Sequence, residues 1–210
     1  MRTTFRSALL GTRLYPLTDR RLSGLTHAQQ VTHLAKAGAT MIQLREKTLS
    51  SIDFYREAAE ALTVARESGI KIIINDRVDV ALALGADGVH LGQDDLPPPV
   101  ARKLLGPDAL IGFSTHTVPQ AVLATTMPLD YIAIGPIFLT TTKESSYPPL
   151  GIAGLRRVRQ AVGEIPLVAI GGINSTNSQA VLDAGADVLA VIGDIWTSID
   201  RVEEQTKPPA

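Results

Sequence analysis

Ile73-Ile74-Asn75-Asp76-Arg77-Val78-Asp79-Val80-Ala81-Leu82-Ala83-Leu84-Gly85-Ala86-Asp87-Gly88-Val89-His90-Leu91-Gly92-Gln93-Asp94-Asp95 reads as strand, short helix, strand. The run Lys71-Ile72-Ile73-Ile74 is continuous and rich in β-branched side chains, as a parallel strand covered on both faces requires. Val78 to Leu84 is a short, largely apolar helical segment, and Gly85 is placed to close it. Val89-His90-Leu91 begins the second strand. Both strands end in acid, Asp76 on the first and Asp94-Asp95 on the second. Neighbouring parallel strands lie about 4.8 Å apart, and a hard divalent cation takes carboxylate oxygen at about 2.1 Å. One ion can therefore bridge Asp76 and Asp95. The same acids can instead cap the helices that follow them, Asp95 with Pro97 in the first turn. Capping does not account for Asn75, Gln93 and Asp94 at the same two junctions. The two roles are also compatible, since one carboxylate oxygen can take a backbone N–H while the other takes a metal.

Working outward, Leu14-Tyr15-Pro16-Leu17-Thr18-Asp19 reads as the first strand, with Pro16 an awkward member. Thr26-His27-Ala28-Gln29 is a capping-box pattern. Ala28, Val31, Leu34 and Ala35 follow at helical spacing up to Gly38. Met41 to Arg45 is the second strand. Ser50 or Ser51 caps a helix whose apolar face is Phe54, Ala58, Ala61, Leu62 and Ala65, and Ser68-Gly69 ends it. Beyond the central stretch, helices are expected over 100–105, 120–125 and 152–162, with strands over 110–114, 131–134, 167–170 and 188–192. Ser175 or Thr176 is expected to cap the helix that runs to Ala184-Gly185. Trp196, Ile199 and Val202 give a last helix its apolar stripe. Ala37-Gly38-Ala39, Leu84-Gly85-Ala86 and Ala184-Gly185-Ala186 echo one another, each ending a helix just before a strand.

Eight βα units in 210 residues favour a closed (β/α)8 TIM barrel of the α/β class over a doubly wound open sheet. The glycine-rich fingerprint of the open sheet is replaced after the first strand by Thr18-Asp19-Arg20-Arg21. The chain reads as a single barrel domain over 1–210, with 1–13 and 203–210 as flexible ends.

A net charge of −1 argues against a general nucleic-acid binder, and the absence of cysteine rules out disulfides, thiolate metal sites and a catalytic thiol. No apolar run reaches membrane-spanning length. Ser7-Ala8-Leu9-Leu10 is too short for the apolar region of a signal peptide. A cytoplasmic protein is expected, with small phosphorylated molecules as partners and no nucleic acid or membrane. A homo-oligomer is compatible with this reading.

The active site of a barrel lies at the C-terminal ends of its strands. Those ends carry Gln43, Arg45 and Lys47 at period two; Asn75 and Asp76; Gln93, Asp94 and Asp95; Ser114, Thr115 and His116; Gly135 to Lys143; Gly171-Gly172; and Ile192-Gly193. Arg45, Lys47 and Lys143 beside two carboxylates suggest a polyanion held by cations and a metal, and Mg2+ commonly shares one or two carboxylates with substrate phosphates. The alternative for Arg45 and Lys47 is ordinary solvated charge. Thr140, Thr141 and Thr142 supply hydroxyls and loop N–H groups. Gly171-Gly172 and Gly193 allow close backbone approach, and the loops after strands seven and eight are the usual phosphate site of such barrels. Otherwise Gly-Gly is only a tight turn. His90 lies within a strand and reads as a satisfied interior histidine; His116 is better placed, with a loop-building role.

Thr18-Asp19-Arg20, Gln43-Leu44-Arg45-Glu46-Lys47, Ile74 to Asp79, Gly88 to Asp95, Ser114-Thr115-His116, Gly135-Pro136-Ile137-Phe138, Thr140 to Lys143 and Ala169 to Ile173 together resemble the thiamine-phosphate synthase family. The similarity runs from about Leu14 to Ile195. It implies a (β/α)8 barrel that joins 4-amino-2-methyl-5-pyrimidinylmethyl diphosphate to a thiazole phosphate. By that resemblance Gln43, Arg45, Lys47, Asn75 and Lys143 bind the pyrimidine diphosphate, Asp76 and Asp95 hold Mg2+, and Ser114 touches the pyrimidine side. Thr140 and Thr142 contact the thiazole phosphate or the neighbouring diphosphate, and Gly172 with the Ile192-Gly193 backbone binds the thiazole phosphate. Arg45, Lys47, Lys143 and Ser114 are the residues expected to act in the reaction, which the resemblance makes a dissociative one. The chain departs from the family at Leu139, where Pro is usual, and at Gly193, where Ser is frequent. A thiazole tautomerase-like isomerase and a non-catalytic phosphate-binding barrel are the alternatives.

Overall fold

Each apolar run of the sequence becomes a short strand: β1 Leu14–Pro16, β2 Met41–Leu44, β3 Lys71–Asn75, β4 Gly88–Leu91, β5 Leu110–Thr115, β6 Tyr131–Ile134, β7 Leu167–Ile170 and β8 Val188–Val191. They come from a computed structural model, which describes residues 13–140, 146–193 and 195. The strands are all parallel, and β1 pairs with β8 and so on round to β2. Among the described residues the ring closes through one bridge, Leu17 to Gln43, where the Thr18 N–H donates to the Gln43 carbonyl at 2.9 Å. This is the expected (β/α)8 barrel. Among the described residues no helix is long and apolar enough to cross a membrane.

The helices are α1 Arg20–Ser23, α2 His27–Lys36, α3 Ser51–Glu67, α4 Val78–Leu84, α5 Pro98–Leu105, α6 Val118–Ala124, α7 Gly151–Val162 and α8 Ser178–Asp183. The capping box at Thr26 and Gln29 forms, and Ser50 caps α3. The α3 stripe of Phe54, Ala58, Ala61, Leu62 and Ala65 is buried. Its alanines keep the helix close to the barrel wall. Gly85 closes α4 in the left-handed region, at φ +60.

Several boundaries differ from the sequence reading, and three of them have a clear local cause. The first strand stops at Pro16, and Asp19 instead caps the unforeseen turn of helix α1. Helix α5 starts two residues earlier than expected, at Pro98, because prolines are tolerated in a first turn where N–H groups lack intrahelical partners. Helix α8 starts at Ser178, not after Ser175 or Thr176. Asn174 and Asn177 side chains build a turn first, and Thr176 donates its hydroxyl to Asn174 Oδ1 at 2.6 Å. The stripe of Trp196, Ile199 and Val202 lies outside the described residues, as do the two ends apart from Arg13.

Register and alternation divide the core in two. Ile42, Leu44, Ile72, Ile74, Val89, Ile111 and Ile132 face the helices, and each fully buried aliphatic side chain contributes about 1.5–3 kcal/mol. Tyr15, Leu17, Met41, Ile73, Leu110, Tyr131, Ala133, Val168, Val188, Ala190 and Ile192 fill the barrel itself. The interior is packed in layers and is not a pore. Room for the Tyr131 ring comes from Gly112, where an added Cβ would stand 2.0 Å from Tyr131 Cζ.

The lower face carries a repeated clamp. Asp87, Asp130 and Asp187 each precede an even strand, and each accepts the N–H of a residue on the preceding odd strand: Ile72, Ile111 and Leu167, all at 2.9 Å. The same three carboxylates pair with Lys71, Arg102 and Arg159.

Candidate active site

Asp76 follows β3 at φ +63, in the left-handed region. The Arg77 N–H donates across it to the Asn75 carbonyl at 2.8 Å, which closes a γ-turn, and its own N–H reaches the His90 carbonyl at 2.8 Å. Positive-φ γ-turns are strained, and a non-glycine residue held there costs on the order of 1–3 kcal/mol. The strain aims the carboxylate away from α4: that helix starts after Arg77 with no side-chain cap. The carboxylate is ion-paired with Lys47 Nζ. Burial raises the Asp76 carboxyl above its ordinary range; the Lys47 contact pulls it back, and the charge and hydrogen bond of the Asp95 carboxylate raise it further. Asp95 caps nothing either, since α5 has no side-chain cap. Its Oδ2 accepts the Gly92 N–H at 2.6 Å. The capping alternative is thus overturned for both acids, and the two carboxylates face one another.

The β2 end is built by Glu46. Its Oε1 takes the N–H groups of Lys47, Thr48 and Leu49 and the Thr48 hydroxyl, at 2.5–3.1 Å. Burial pushes the Glu46 carboxyl up, but these donors together outweigh it and hold it at about 2. They fix the turn that presents Lys47, whose side chain remains half exposed. Arg45 and Gln43 do not join Lys47 at the cavity wall. Arg45 Nη1 is held by Asp19 Oδ2 at 2.6 Å. Gln43 is buried inside the barrel, with Nε2 donating to the Tyr15 hydroxyl at 3.2 Å. Asn75 is also buried, and its Nδ2 has no hydrogen-bond partner among the described residues.

Ser114, on β5, meets His90 Nε2 at 2.8 Å, and His90 Nδ1 meets the Tyr131 hydroxyl at 2.9 Å. His90 is the satisfied interior histidine that its place in a strand suggested. Beside Ser114, Gln93 Nε2 donates to the Ser114 carbonyl at 2.6 Å. His116 Nδ1 donates to the Gly135 carbonyl at 2.6 Å, and its ring stacks on Tyr147 at 4.4 Å. That agrees with a loop-building role. Tyr147 had no signal in the sequence, since it lies in a loop without periodicity.

Gly171 and Gly172 have φ +101 and +65. A Cβ on Gly171 would stand 2.7 Å from Pro136 Cα, and one on Gly172 would stand 2.5 Å from the Leu139 carbonyl oxygen. These glycines therefore let the loop after β6 lie against the end of β7. Asn177 Nδ2 holds the Gly172 carbonyl at 2.9 Å. Thr142 and Lys143 lie outside the described residues.

The ends of β2 to β8 open on one cavity of about 1100 Å³. Lys47, Asp76, Asp95 and Ser114 line one side; Leu139, Thr140, Gly171, Gly172, Ile192 and Gly193 line the other. Gln43, Arg45 and Asn75 lie behind the first side. Among the described residues no group of three or more His, Cys, Asp or Glu side chains is placed to hold a metal. Two facing carboxylates, one already raised by the other's charge, fit a cation that completes its shell with substrate phosphate and water, as Mg2+ does. They do not fit an all-protein cage.

Comparison with known proteins agrees with the barrel fold. The family model for thiamine monophosphate synthase matches residues 14–195. The thiamine-phosphate synthase of Chloroflexus aurantiacus is 47% identical over 189 residues, covering 90% of this chain and 87% of the relative. That of Clostridium novyi is 44% identical over 189 residues, covering 90% and 92%. Among solved structures, the thiamine phosphate pyrophosphorylase of Pyrococcus furiosus superposes with a TM-score of 0.77 at 36% identity, covering 91% of this chain and 93% of that one.

Proposed function

This chain belongs to the thiamine monophosphate synthase family and its activity is the synthesis of thiamine phosphate; from that premise we propose that its barrel mouth joins 4-amino-2-methyl-5-pyrimidinylmethyl diphosphate to a thiazole phosphate and releases diphosphate. The observation that supports this assignment of sides is the asymmetry of the cavity at the strand ends. Charge is gathered on the β2–β4 side, and glycine backbone on the β7–β8 side. A cavity of this size has room for two small substrates at once.

The diphosphate belongs on the charged side, where the Lys47 ammonium stands at the end of β2. Arg45, anchored by Asp19, adds positive potential behind it. The unpartnered Asn75 Nδ2 is a donor for the same substrate. Asp76 and Asp95 are the residues proposed to hold Mg2+, which when bound supplies neutralisation of the charge on the departing diphosphate. Lys143 is proposed for the same diphosphate on the strength of the family resemblance, and Thr142 for the phosphates beside it. The electron-rich pyrimidine lets its C–O bond break ahead of attack, and the thiazole nitrogen then takes the exposed carbon. Ala133, Ile170, Ala190 and Ile192 make the adjoining wall apolar, which keeps water from competing with that nitrogen. The thiazole phosphate is assigned to the main chain at Gly172, Ile192 and Gly193, with Thr140 beside it. The protein contributes positioning and preorganised charge and no covalent nucleophile.

The test is direct. Purified protein with Mg2+ and both substrates should form thiamine phosphate, read by fluorescence after oxidation, with one diphosphate released per product. Diphosphate-independent isomerisation of the thiazole, or binding without turnover, would overturn the reading.

A further inference from the structure

Helix α2 packs on the barrel with a partly polar face. Its buried residues are His27, Gln30, Val31 and Leu34, whereas the buried stripe of α3 is wholly apolar. His27 and Gln30 are both 0% exposed, and three positions apart they share one side of the helix. Burying a polar side chain costs free energy unless it is hydrogen-bonded, so the partners of these two show what they hold. Gln30 Oε1 accepts the Asp19 N–H at 2.9 Å, and its Nε2 donates to the Leu25 carbonyl at 3.0 Å. His27 Nδ1 meets Thr18 Oγ1 at 2.8 Å. Its Nε2 stands 3.4 Å from Glu46 Oε2 and has no hydrogen-bond partner among the described residues.

Each partner in turn holds a residue assigned to the diphosphate. Thr18 Oγ1 accepts the Arg45 N–H at 3.1 Å, and Asp19 Oδ2 holds the Arg45 guanidinium at 2.6 Å. Glu46 Oε1 takes the Lys47 N–H at 2.7 Å and those of Thr48 and Leu49. One imidazole therefore lies between the main-chain anchor of Arg45 and the anchor of Lys47. The amide one helical turn on fixes the residue that holds the Arg45 side chain. Neither His27 nor Gln30 lines the cavity. An aliphatic pair would cost less desolvation, but it would leave the Asp19 N–H without its acceptor and Thr18 without its nitrogen partner. We propose that His27 and Gln30 are positioning residues for the diphosphate half of the site, fixing Arg45 and Lys47 from helix α2 without touching substrate. Cations on loose turns must be ordered when the phosphates bind. Held from behind, they meet the phosphates already in place.

The inference rests on the synthase reading for its kinetic arm. His27→Leu and Gln30→Leu are compared there with Val31→Ala, which thins the same buried face and removes no polar contact. The two polar variants should each raise KM for the pyrimidine diphosphate about 3- to 10-fold, the worth of one hydrogen bond, and leave KM for the thiazole phosphate unchanged. Val31→Ala should lower Tm and alter neither KM. The second arm needs no substrate. In His27→Leu the amides of Arg45, Lys47 and Leu49 should exchange with water about 10-fold faster, because the opening is local. Those of Ile111 and Leu167, held by the lower-face clamps, should keep the parent rate. Equal acceleration at all five amides, or a KM that rises as much in Val31→Ala, would make the polar face ordinary packing and overturn the proposal. Unchanged exchange at Arg45 and Lys47 overturns it as well, even if the enzyme makes thiamine phosphate. If no thiamine phosphate forms, the synthase reading falls and the exchange rates still decide this inference. If His27→Leu does not fold, the same comparison is read from Gln30→Leu at the Arg45 amide.

Discussion

Lys47 and Asp76 form an ion pair across the ends of β2 and β3, and Asp76 makes it from a backbone conformation with φ +63 that few non-glycine residues adopt. The carboxylate also faces Asp95, whose charge raises it. A partly buried acid between one cation and one like charge is electrostatically incomplete, and this is the ground for the divalent cation proposed there.

Metal dependence follows. EDTA should abolish turnover and Mg2+ restore it. Asp95→Asn and Asp76→Asn should each lose about 100-fold or more in kcat, the size seen when a preorganised electrostatic stabiliser is removed. Folding should be kept by circular dichroism. Full activity in EDTA would sink the assignment of Asp76 and Asp95.

The same contact has a signature in stability. The folded-state pKa of Asp76 lies above its unfolded value. The folded protein therefore binds the extra proton, and stability is lost as pH rises from the unfolded pKa through the folded one. Asp76→Asn removes that slope. In metal-free buffer the variant should outlast the parent in urea at neutral pH and lose its advantage below the ordinary carboxylate range. An unchanged difference across that range would count against the shift.

Glu46 behaves with the opposite sign. Its carboxyl is held down to about 2 from 4.5, so its contribution is fully present above about pH 4.5 and disappears as pH falls toward 2. Glu46→Gln should flatten acid unfolding over that interval. It should also loosen the turn that presents Lys47, which raises KM for the diphosphate substrate before it alters thermal stability. A variant with the parent's acid transition would refute this.

The glycine side of the cavity gives a paired test. Gly172→Val should be severe, because a Cβ there would meet the Leu139 carbonyl at 2.5 Å at a backbone φ of +65. The cost is about 1–3 kcal/mol for the backbone alone. The loop after β6 must move, so KM for the thiazole phosphate should rise first. Gly193→Ser should instead keep activity and lower that KM, since a hydroxyl adds a donor to a backbone site. A change confined to the pyrimidine KM would mean the substrates had been placed on the wrong sides.

The lower face should be separable from the upper. Asp130→Ala strips Arg102 and the Ile111 N–H of their shared acceptor. Leaving partly buried polar groups unpaired costs about 1–3 kcal/mol. Thermal unfolding should come earlier, while kcat measured well below the transition stays at the parent value. A matching fall in kcat would show that the two faces are coupled.

Much of this was legible in the sequence, and the failures have physical causes. Strand positions and the adjacency of Asp76 and Asp95 follow from periodicity and from the rule that consecutive parallel strands are neighbours. The direction of Gln43 and Arg45 does not. Period two places both on one face with Lys47, yet β2 ends at Leu44. Beyond it Arg45 turns to Asp19, while Gln43 stays in the interior layer. The pairing of His90 with Tyr131 depends on register between strands 41 residues apart, which no local pattern encodes. The clamps at Asp87, Asp130 and Asp187 had a visible echo, the small residue and acid before Gly88 and Val188, but their partners on preceding strands were invisible without the barrel. The start of α8 was misplaced because Asn174 and Asn177 compete for the backbone that Ser175 or Thr176 would have capped.

Seven joints of the barrel are ladders of three or more paired residues, whereas among the described residues β1 meets β2 through one bridge, between Leu17 and Gln43. A ring of this kind has a seam. Amide hydrogen exchange should be fastest there, at the Thr18 N–H that spans it, since sub-global opening begins where the fewest bonds must break together. Gln43 is the stitch in that seam, and its side chain donates inward to the buried Tyr15 hydroxyl. Breathing of the barrel wall at this line also loosens an amide that is bonded to the packed interior, so the least stable line in the fold runs beside its most deeply buried layer.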